Sequence, residues 1–581
     1  MNIPIRQYWN LLVNYLRAQR GRVFLLGLLL LSTIGLQLVS PQLVGEFVDE
    51  AQTGGAMNTL LTLALLYIGI ALVQQVAAIG TAYLSENVGW TATNALRADL
   101  ARHSLRLDMS FHNTHTPGEM IERIDGDVTM LATFFSQFVL VVLSNLLLIV
   151  GVLVLLFGED WRLGMAMTLF VVAALALLHR TRNLAAPHWA AGREASADLS
   201  GFVEERFAGI DDIRSNGATA YKMNLLHALS RKLLLRYRKA WLMGEVGTVS
   251  AQLMFGLALA VGLGVGAYLF YRGVFTTGTV LMVSIYAGYI ARPLGRLTEQ
   301  VQELQKAGGS IERLRELQEV QSAIVDGPAP LVLSGAPSVE FEGVSFEYNA
   351  GEPVLEEVSI RLERGKVLGL LGRTGSGKTT TTRLLFRLYD PTAGIIRLDG
   401  TDIRTVRLAD LRRQIGVVTQ DVQLFRATVR DNLTFFDPTI RDERILEAFA
   451  ALGLSAWYES LPQGLDTSLA AGGGGLSAGE AQLLAFTRIF LKDPHLVIMD
   501  EASSRLDPAT ENLIERAVDR LLAGRTAIII AHRLGTVQRA DEIVILDSGR
   551  IVEHGPREQL AADPTARFYH LLRVGLEEVL A

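Results

Sequence analysis

Through its first three hundred residues the chain repeats one arrangement: apolar runs of spanning length, separated by charged stretches with helical patterning. A membrane span needs roughly 20 mostly apolar residues. Residues 138–157 meet this most clearly, interrupted only by Ser144 and Asn145. Five further stretches fit, at about 23–43, 59–84, 162–178, 246–271 and 274–294. Several exceed the length of an ordinary core helix, which argues for six spans over a buried soluble bundle.

The stretches between the spans set the orientation. Residues 86–130 and 179–240 are long, polar and helix-like, and the second carries Arg180, Arg182, Arg193, Arg231, Lys232, Arg236, Arg238 and Lys239. The connections near Glu46, Asp49 and Glu50, at Glu159-Asp160 and at Arg272-Gly273 are short and poor in basic residues. The positive-inside rule makes the two long loops cytoplasmic, and six spans then place both ends of the chain inside. Residues 1–22 read as an interfacial elbow: an amphipathic stretch at 5–16 precedes Arg17, Arg20 and Arg22. The run 23–39 ends without a small-x-small cleavage site, which argues against a cleaved signal. Gln37, Gln74, Gln75, Asn145, Gln252, Tyr286 and Tyr289 lie within the spans. They read first as interhelical glue and second as a substrate path.

The apolar periodicity stops near 325–330, where Gly327, Pro328 and Pro330 mark a linker. Residues 338–348 then alternate as a strand. The expected organisation is an elbow at 1–22, a six-span domain at 23–325, a linker at 326–337 and an α/β domain at 338–581. The fold class is thus multi-domain: an all-α transmembrane domain followed by an α/β P-loop ATPase domain.

The P-loop rests on Gly372-Arg373-Thr374-Gly375-Ser376-Gly377-Lys378-Thr379, between an apolar strand ending at Leu371 and a helical pattern that takes in Thr380. This is the strand-loop-helix context that the G-x-x-x-x-G-K-[ST] pattern requires. The glycines let N–H groups wrap phosphates, Lys378 neutralises the β/γ oxygens, and the Thr379 hydroxyl suits Mg²⁺. A second strand, "HLVIMDE", ends in Asp500 and Glu501. Asp500 is placed to hold Mg²⁺, and Glu501 to take a proton from attacking water. A third, "TAIIIAHR", ends in His532, at the strand edge where parallel sheets bind ligands.

Composition narrows the field further. At 581 residues the chain exceeds one core. Its mean hydropathy of +0.29 averages an apolar half with a soluble half. A net charge of −6 gives no nucleic-acid footprint. The chain has no cysteine, which excludes disulfides, thiolate metal sites and cysteine nucleophiles.

Six spans followed by this P-loop, Gln420, "LSAGE" at 476–480, Asp500-Glu501, "SSRLD" and His532 resemble an ABC transporter half of the exporter type. The resemblance implies ATP and Mg²⁺ as cofactors, with the nucleotide domain on the cytoplasmic side of a bacterial-type cell membrane. It implies that Tyr348 stacks on adenine, that Gln420 touches Mg²⁺ and senses the membrane domain, and that Asp507 belongs to a loop crossing to a partner. It places coupling helices at 110–117 and 209–217. Ser477 and Gly479 would hold the γ-phosphate of ATP bound to a second half-transporter. The implied cargo is a lipid, a drug-like small molecule or a peptide. An importer built on the exporter fold, or a nucleotide-gated channel or sensor, stays open.

The chain departs from the family pattern in places that serve the partner. Ala478 and Glu480 stand where LSGGQ has glycine and glutamine, Ala471 where a glutamate is usual, and Arg505 where alanine is usual. The residues acting on the chain's own ATP are complete. That asymmetry points to a heterodimer ahead of a homodimer.

Overall fold

The computed structural model describes residue 13 and residues 15–419, 422–470, 472, 476–500, 508–531 and 534–574. Most of the elbow stretch therefore lies outside the described residues. The chain divides into two compact units, one of Met1–Leu105 and Thr116–Val320, the other of Arg106–His115 and Gln321–Ala581.

The first unit is helical: α1 (Arg20–Gln52), α2 (Met57–Arg106), α4 (Pro117–Ile121), α5 (Val128–Gln137), α6 (Ser144–Glu159), α7 (Trp161–Ala208), α8 (Ile210–Ser215), α9 (Thr219–Tyr271) and α10 (Thr277–Glu319). The short α3 (Met109–Thr114) belongs to the second unit. α2, α7 and α9 continue far beyond spanning length, as the helical patterning of the loops predicts. Among the described residues, five stretches are long and apolar enough to cross a membrane, within Arg20–Gln52, Met57–Arg106, Pro117–Glu159, Trp161–Leu178 and Thr219–Tyr271. The sixth predicted span, the first part of α10, falls short of that apolarity because Tyr286, Tyr289, Arg292 and Pro293 interrupt it. It nevertheless shares one apolar cluster with α1, α6, α7 and α9, which places Met282, Tyr286, Ile290 and Leu294 with Leu30, Val152, Met167, Leu178 and Ala258. Many outward apolar side chains stay bare, among them Phe24 at 75% and Leu169 at 70% exposure. Such surface is stable only where the solvent is itself apolar.

Two stretches between α4 and α6, Glu122–Asp127 and Phe138–Leu143, are π-helical. The first delivers Asp127 into the interior, where its carboxylate accepts from both Nε (2.8 Å) and Nη2 of Arg313 on α10. At the opposite end of α10, Asp49 of α1 accepts from Gly278 N (2.7 Å) and the Thr276 hydroxyl (2.5 Å). Gly45 and Gly278 meet beside it with no room for a side chain: a Cβ on Gly278 would collide with the Gly45 carbonyl oxygen.

The second unit holds two sheets. β1 (Val339–Glu347), β2 (Pro353–Leu362), β4 (Ala393–Leu398) and β5 (Thr401–Asp402) form an antiparallel sheet in the order β2-β1-β4-β5. β3 (Val367–Gly372), β6 (Ile415–Val418), β7 (Leu496–Asp500), β8 (Thr526–Ile530), β9 (Glu542–Asp547) and β10 (Arg550–Pro556) form the other, in the order β10-β9-β3-β8-β7-β6. All its pairings are parallel except the β10 edge. β3 and β8 are buried along their whole length, as central parallel strands must be. One core fills the space between the sheets; the other lies between the parallel sheet and the helices that carry Phe449, Phe486 and Ile514.

The segment read as a linker is anchored to this unit. Buried Arg387 donates to the Val325 carbonyl (3.0 Å) and to Asp390 (2.8 Å), Leu408 N donates to Asp326 (2.7 Å), and Arg407 N donates to the Ala329 carbonyl (2.8 Å).

Candidate nucleotide site

The phosphate loop follows β3 without a gap. Gly372, Gly375 and Gly377 adopt φ of +149°, +82° and +104°, a region that side chains rarely enter. At Gly372 space forbids a side chain as well, since a Cβ would meet the Leu546 carbonyl. Gly377 opens the next helix, α11 (Lys378–Leu385), whose N-terminal N–H groups face the loop. Lys378 is 6% exposed, and its Nζ donates to the carbonyls of Gly372 (2.6 Å) and Arg373 (2.9 Å). The ammonium is thus held inside the loop. Arg373, Thr374, Gly375 and Thr379 are exposed, whereas Ser376 is buried. The Ser376 hydroxyl has no hydrogen-bond partner among the described residues. A buried orphan hydroxyl beside an ammonium and a helix N-terminus is what a phosphate oxygen would satisfy.

Asp500 ends β7, two strands from β3. Strand register pairs Leu370 with Ile530, and Ile530 with Asp500, so Asp500 reaches the same sheet edge as the loop. The exposed Thr379 hydroxyl and this carboxylate are hard oxygen donors of the type Mg²⁺ takes. Glu501, His532, Gln420, Asp507 and Ala471 lie outside the described residues, so their roles rest on the sequence.

Tyr348 stands just past β1. Its hydroxyl lies 3.1 Å from Thr380 Oγ1 and accepts from Arg383 (3.3 Å). Its ring meets Phe346 and Tyr389 edge-on, at 4.8 and 5.1 Å between centroids, and stays half-exposed. A ring propped from the side with part of its surface free suits stacking on a base.

Tyr389 escaped the sequence reading. Its hydroxyl accepts from Asn113 of α3 at 2.6 Å. Burial, and then the neighbouring Tyr348, push the Tyr389 hydroxyl above its ordinary pKa, while Arg383 and the Asn113 hydrogen bond oppose this. α3 is itself fixed by Asp108, whose carboxylate accepts from Ser110 N (2.9 Å), Phe111 N (3.3 Å) and Ala323 N (2.6 Å). Burial works to raise the Asp108 pKa, but these donors and the Ser322 hydroxyl hold it below the usual carboxylate value. The only signal in the sequence was a helix-capping Asp at the foot of the predicted coupling segment.

After α12 (Leu408–Gln414), α13 (Val429–Thr434), α14 (Asp442–Leu452) and α15 (Ser455–Glu459), the signature segment starts α16 (Ala478–Lys492). Ser477 caps it: Ser477 Oγ accepts from Glu480 N (3.2 Å), and the Glu480 carboxylate accepts from Ser477 N (2.7 Å). This reciprocal capping box explains Glu480 locally. Its charge is turned back onto the helix start, where the dipole favours it. Further along α16, buried Arg488 donates to the carbonyls of Asn432 (2.7 Å) and Gln423 (2.9 Å). The signature helix is thereby tied to the segment that follows Gln420.

The comparisons agree with this geometry. A family model described as the ABC transporter transmembrane region matches residues 23–294, and one described as ABC transporter matches residues 355–504. The uncharacterized ABC transporter ATP-binding protein YknV of Bacillus subtilis (strain 168) is 31% identical over 561 residues, covering 96% of this chain and 92% of that protein. An ATP-dependent lipid A-core flippase of Alcanivorax borkumensis is 30% identical over 488 residues, covering 82% of each. Among solved structures, a bacterial Atm1-family ABC exporter with ATP bound aligns with a TM-score of 0.79 at 26% identity, over 96% of this chain and 97% of that one.

Proposed function

The chain belongs to the ABC transporter family, and from that premise we propose that it is one half of an ATP-driven exporter that moves a lipid or other amphiphilic molecule across the membrane by alternating access. The observation that carries the reading is the phosphate loop: a buried ammonium, an orphan hydroxyl and a helix start converge there, on the sheet edge at which β7 ends in Asp500.

In the proposed cycle ATP lies between this chain's loop and a partner's signature segment. Lys378, Ser376 and the N–H groups of 375–379 hold the phosphates, and Tyr348 stacks on the base. Thr379 and Asp500 would hold Mg²⁺, joined by Gln420, and the ion supplies charge neutralisation when bound. Glu501 takes the proton of the attacking water, and His532 orients the γ-phosphate. Two bound nucleotides bring the domains together and hydrolysis releases them, which shifts the spans between inward-open and outward-open states.

We favour a heterodimer. Ala478 puts a methyl group where a partner's phosphate must approach, and Ala471 and Arg505 also depart on the partner-facing side. Glu480 weighs less than its charge suggests, because its carboxylate serves the Ser477 cap. The test is steady-state ATPase of Ser477→Ala in the purified complex, with subunit composition read by mass. In a heterodimer whose competent site uses the partner's signature, activity should fall only modestly. A near-complete loss, in particles containing this chain alone, would establish the homodimer instead.

A further inference from the structure

We propose that Tyr389 is a positioning residue through which α3 reads the nucleobase: stacking of a base on Tyr348 and seating of α3 are one linked event, separate from what the phosphates do at the loop. This rests on the exporter reading above, in which the site takes ATP.

Tyr389 belongs to two neighbourhoods at once. Its ring is 6% exposed and packs beside Phe346, at 5.5 Å, and Tyr348, met edge-on at 5.1 Å and 86°. Its hydroxyl instead meets α3, where it accepts from the exposed Asn113 at 2.6 Å. The Tyr348 hydroxyl is taken up by Thr380 and Arg383. Among the described residues, the stacking ring therefore reaches α3 through Tyr389.

α3 is small enough for one bond to matter. It has six residues, far too few to hold a helix without outside contacts. Asp108 caps it and also accepts from Ala323 N (2.6 Å) and the Ser322 hydroxyl (3.2 Å). Met109 packs on the core between the two sheets. Asn113 supplies the contact with the aromatic platform. Along the chain α3 joins α2, which ends at Arg106, to α4, which begins at Pro117. A change in its seating is thus passed covalently to both.

Phosphates and base are read through different contacts. Lys378, Ser376 and the first N–H groups of α11 serve the phosphates. A base on Tyr348 instead fixes a ring whose edge rests on Tyr389, and edge-to-face aromatic contacts are sensitive to orientation. Holding Tyr348 holds Tyr389, and with it the hydroxyl that Asn113 needs. The coupling is reciprocal: a seated α3 tightens base binding by the factor by which the base tightens α3. One neutral hydrogen bond limits that factor to roughly twofold to tenfold. A ligand with phosphates and no base leaves the contact unused.

The test compares ADP with inorganic pyrophosphate on the full-length protein in detergent with Mg²⁺. ADP in place of ATP keeps hydrolysis and domain closure out of the readout. Calorimetry gives the affinities, and amide hydrogen exchange across residues 109–115 reports the seating of α3. In the wild type, saturating ADP should slow that exchange and saturating pyrophosphate should not. Tyr389→Phe keeps the ring and removes the hydroxyl. Its ADP affinity should fall roughly twofold to tenfold, its pyrophosphate affinity should hold, and the slowing by ADP should shrink. Asn113→Ala should do the same, and the double variant no more than either alone, because each removes the same bond. Unchanged ADP affinity, equal losses for both ligands, additive losses, or equal slowing by both ligands in the wild type would each overturn the proposal. A wild type that binds neither ligand would overturn the nucleotide site itself, and the proposal with it, so the two failures are distinguishable.

Discussion

Glu501→Gln is expected to bind ATP normally and to hydrolyse it about 10²–10⁴-fold more slowly, the usual cost of a lost general base. The amide keeps the size of the side chain and cannot accept water's proton. The residue follows Asp500 directly, and the β7–β8–β3 register brings that strand end to the level of the phosphate loop. With binding intact and the chemical step blocked, ATP should hold the two nucleotide domains together, and the closed, outward-open state should accumulate. Steady-state ATPase alongside nucleotide occupancy checks this. Near-normal turnover would remove Glu501 from the catalytic role.

Lys378→Ala acts one step earlier. The ammonium donates to two loop carbonyls and is itself buried, so alanine removes the phosphates' charge partner and the loop's own brace together. Each charged hydrogen bond that the ammonium would make to a phosphate oxygen is worth about 1.5–3 kcal/mol. Nucleotide affinity should therefore fall roughly tenfold or more per bond, and ATPase should fall with it. Losing the two bonds to the loop carbonyls also costs stability, so the melting temperature is followed beside the binding measurement to separate a weakened loop from a lost phosphate contact. Unchanged affinity in an equilibrium binding measurement would contradict the assignment of the phosphate loop.

Local chemistry was the part of the fold most legible in the sequence. The phosphate loop could be read because three glycines, a lysine and a flanking apolar strand each have a backbone or charge reason to stand where they do. The long helices were legible through their period. The pattern did less well where one residue serves two neighbourhoods. Glu480 reads as a stray charge near an anion until the capping box shows what it holds. The proline- and glycine-bearing segment at 325–330 reads as a free linker, whereas Arg387, sixty residues on, grips its backbone. The Asn113–Tyr389 bond joins positions 276 residues apart, and no local pattern announces such a pairing.

The glycine crossing of α1 and α10 bears on how readily the outer end can part. Interlocked side chains would have to be unthreaded, each contact being lost before lipid or water could replace it. Two bare backbones present no such teeth. They separate along a smooth seam, and what fastens them is Asp49, whose two hydrogen bonds lie at an end where water can take over each donor and acceptor. Exchanged that way, a bond costs only about 0.5–1.5 kcal/mol net. The seam is therefore a clasp rather than a weld: shut in this conformation, and releasable by a modest pull from elsewhere in the molecule.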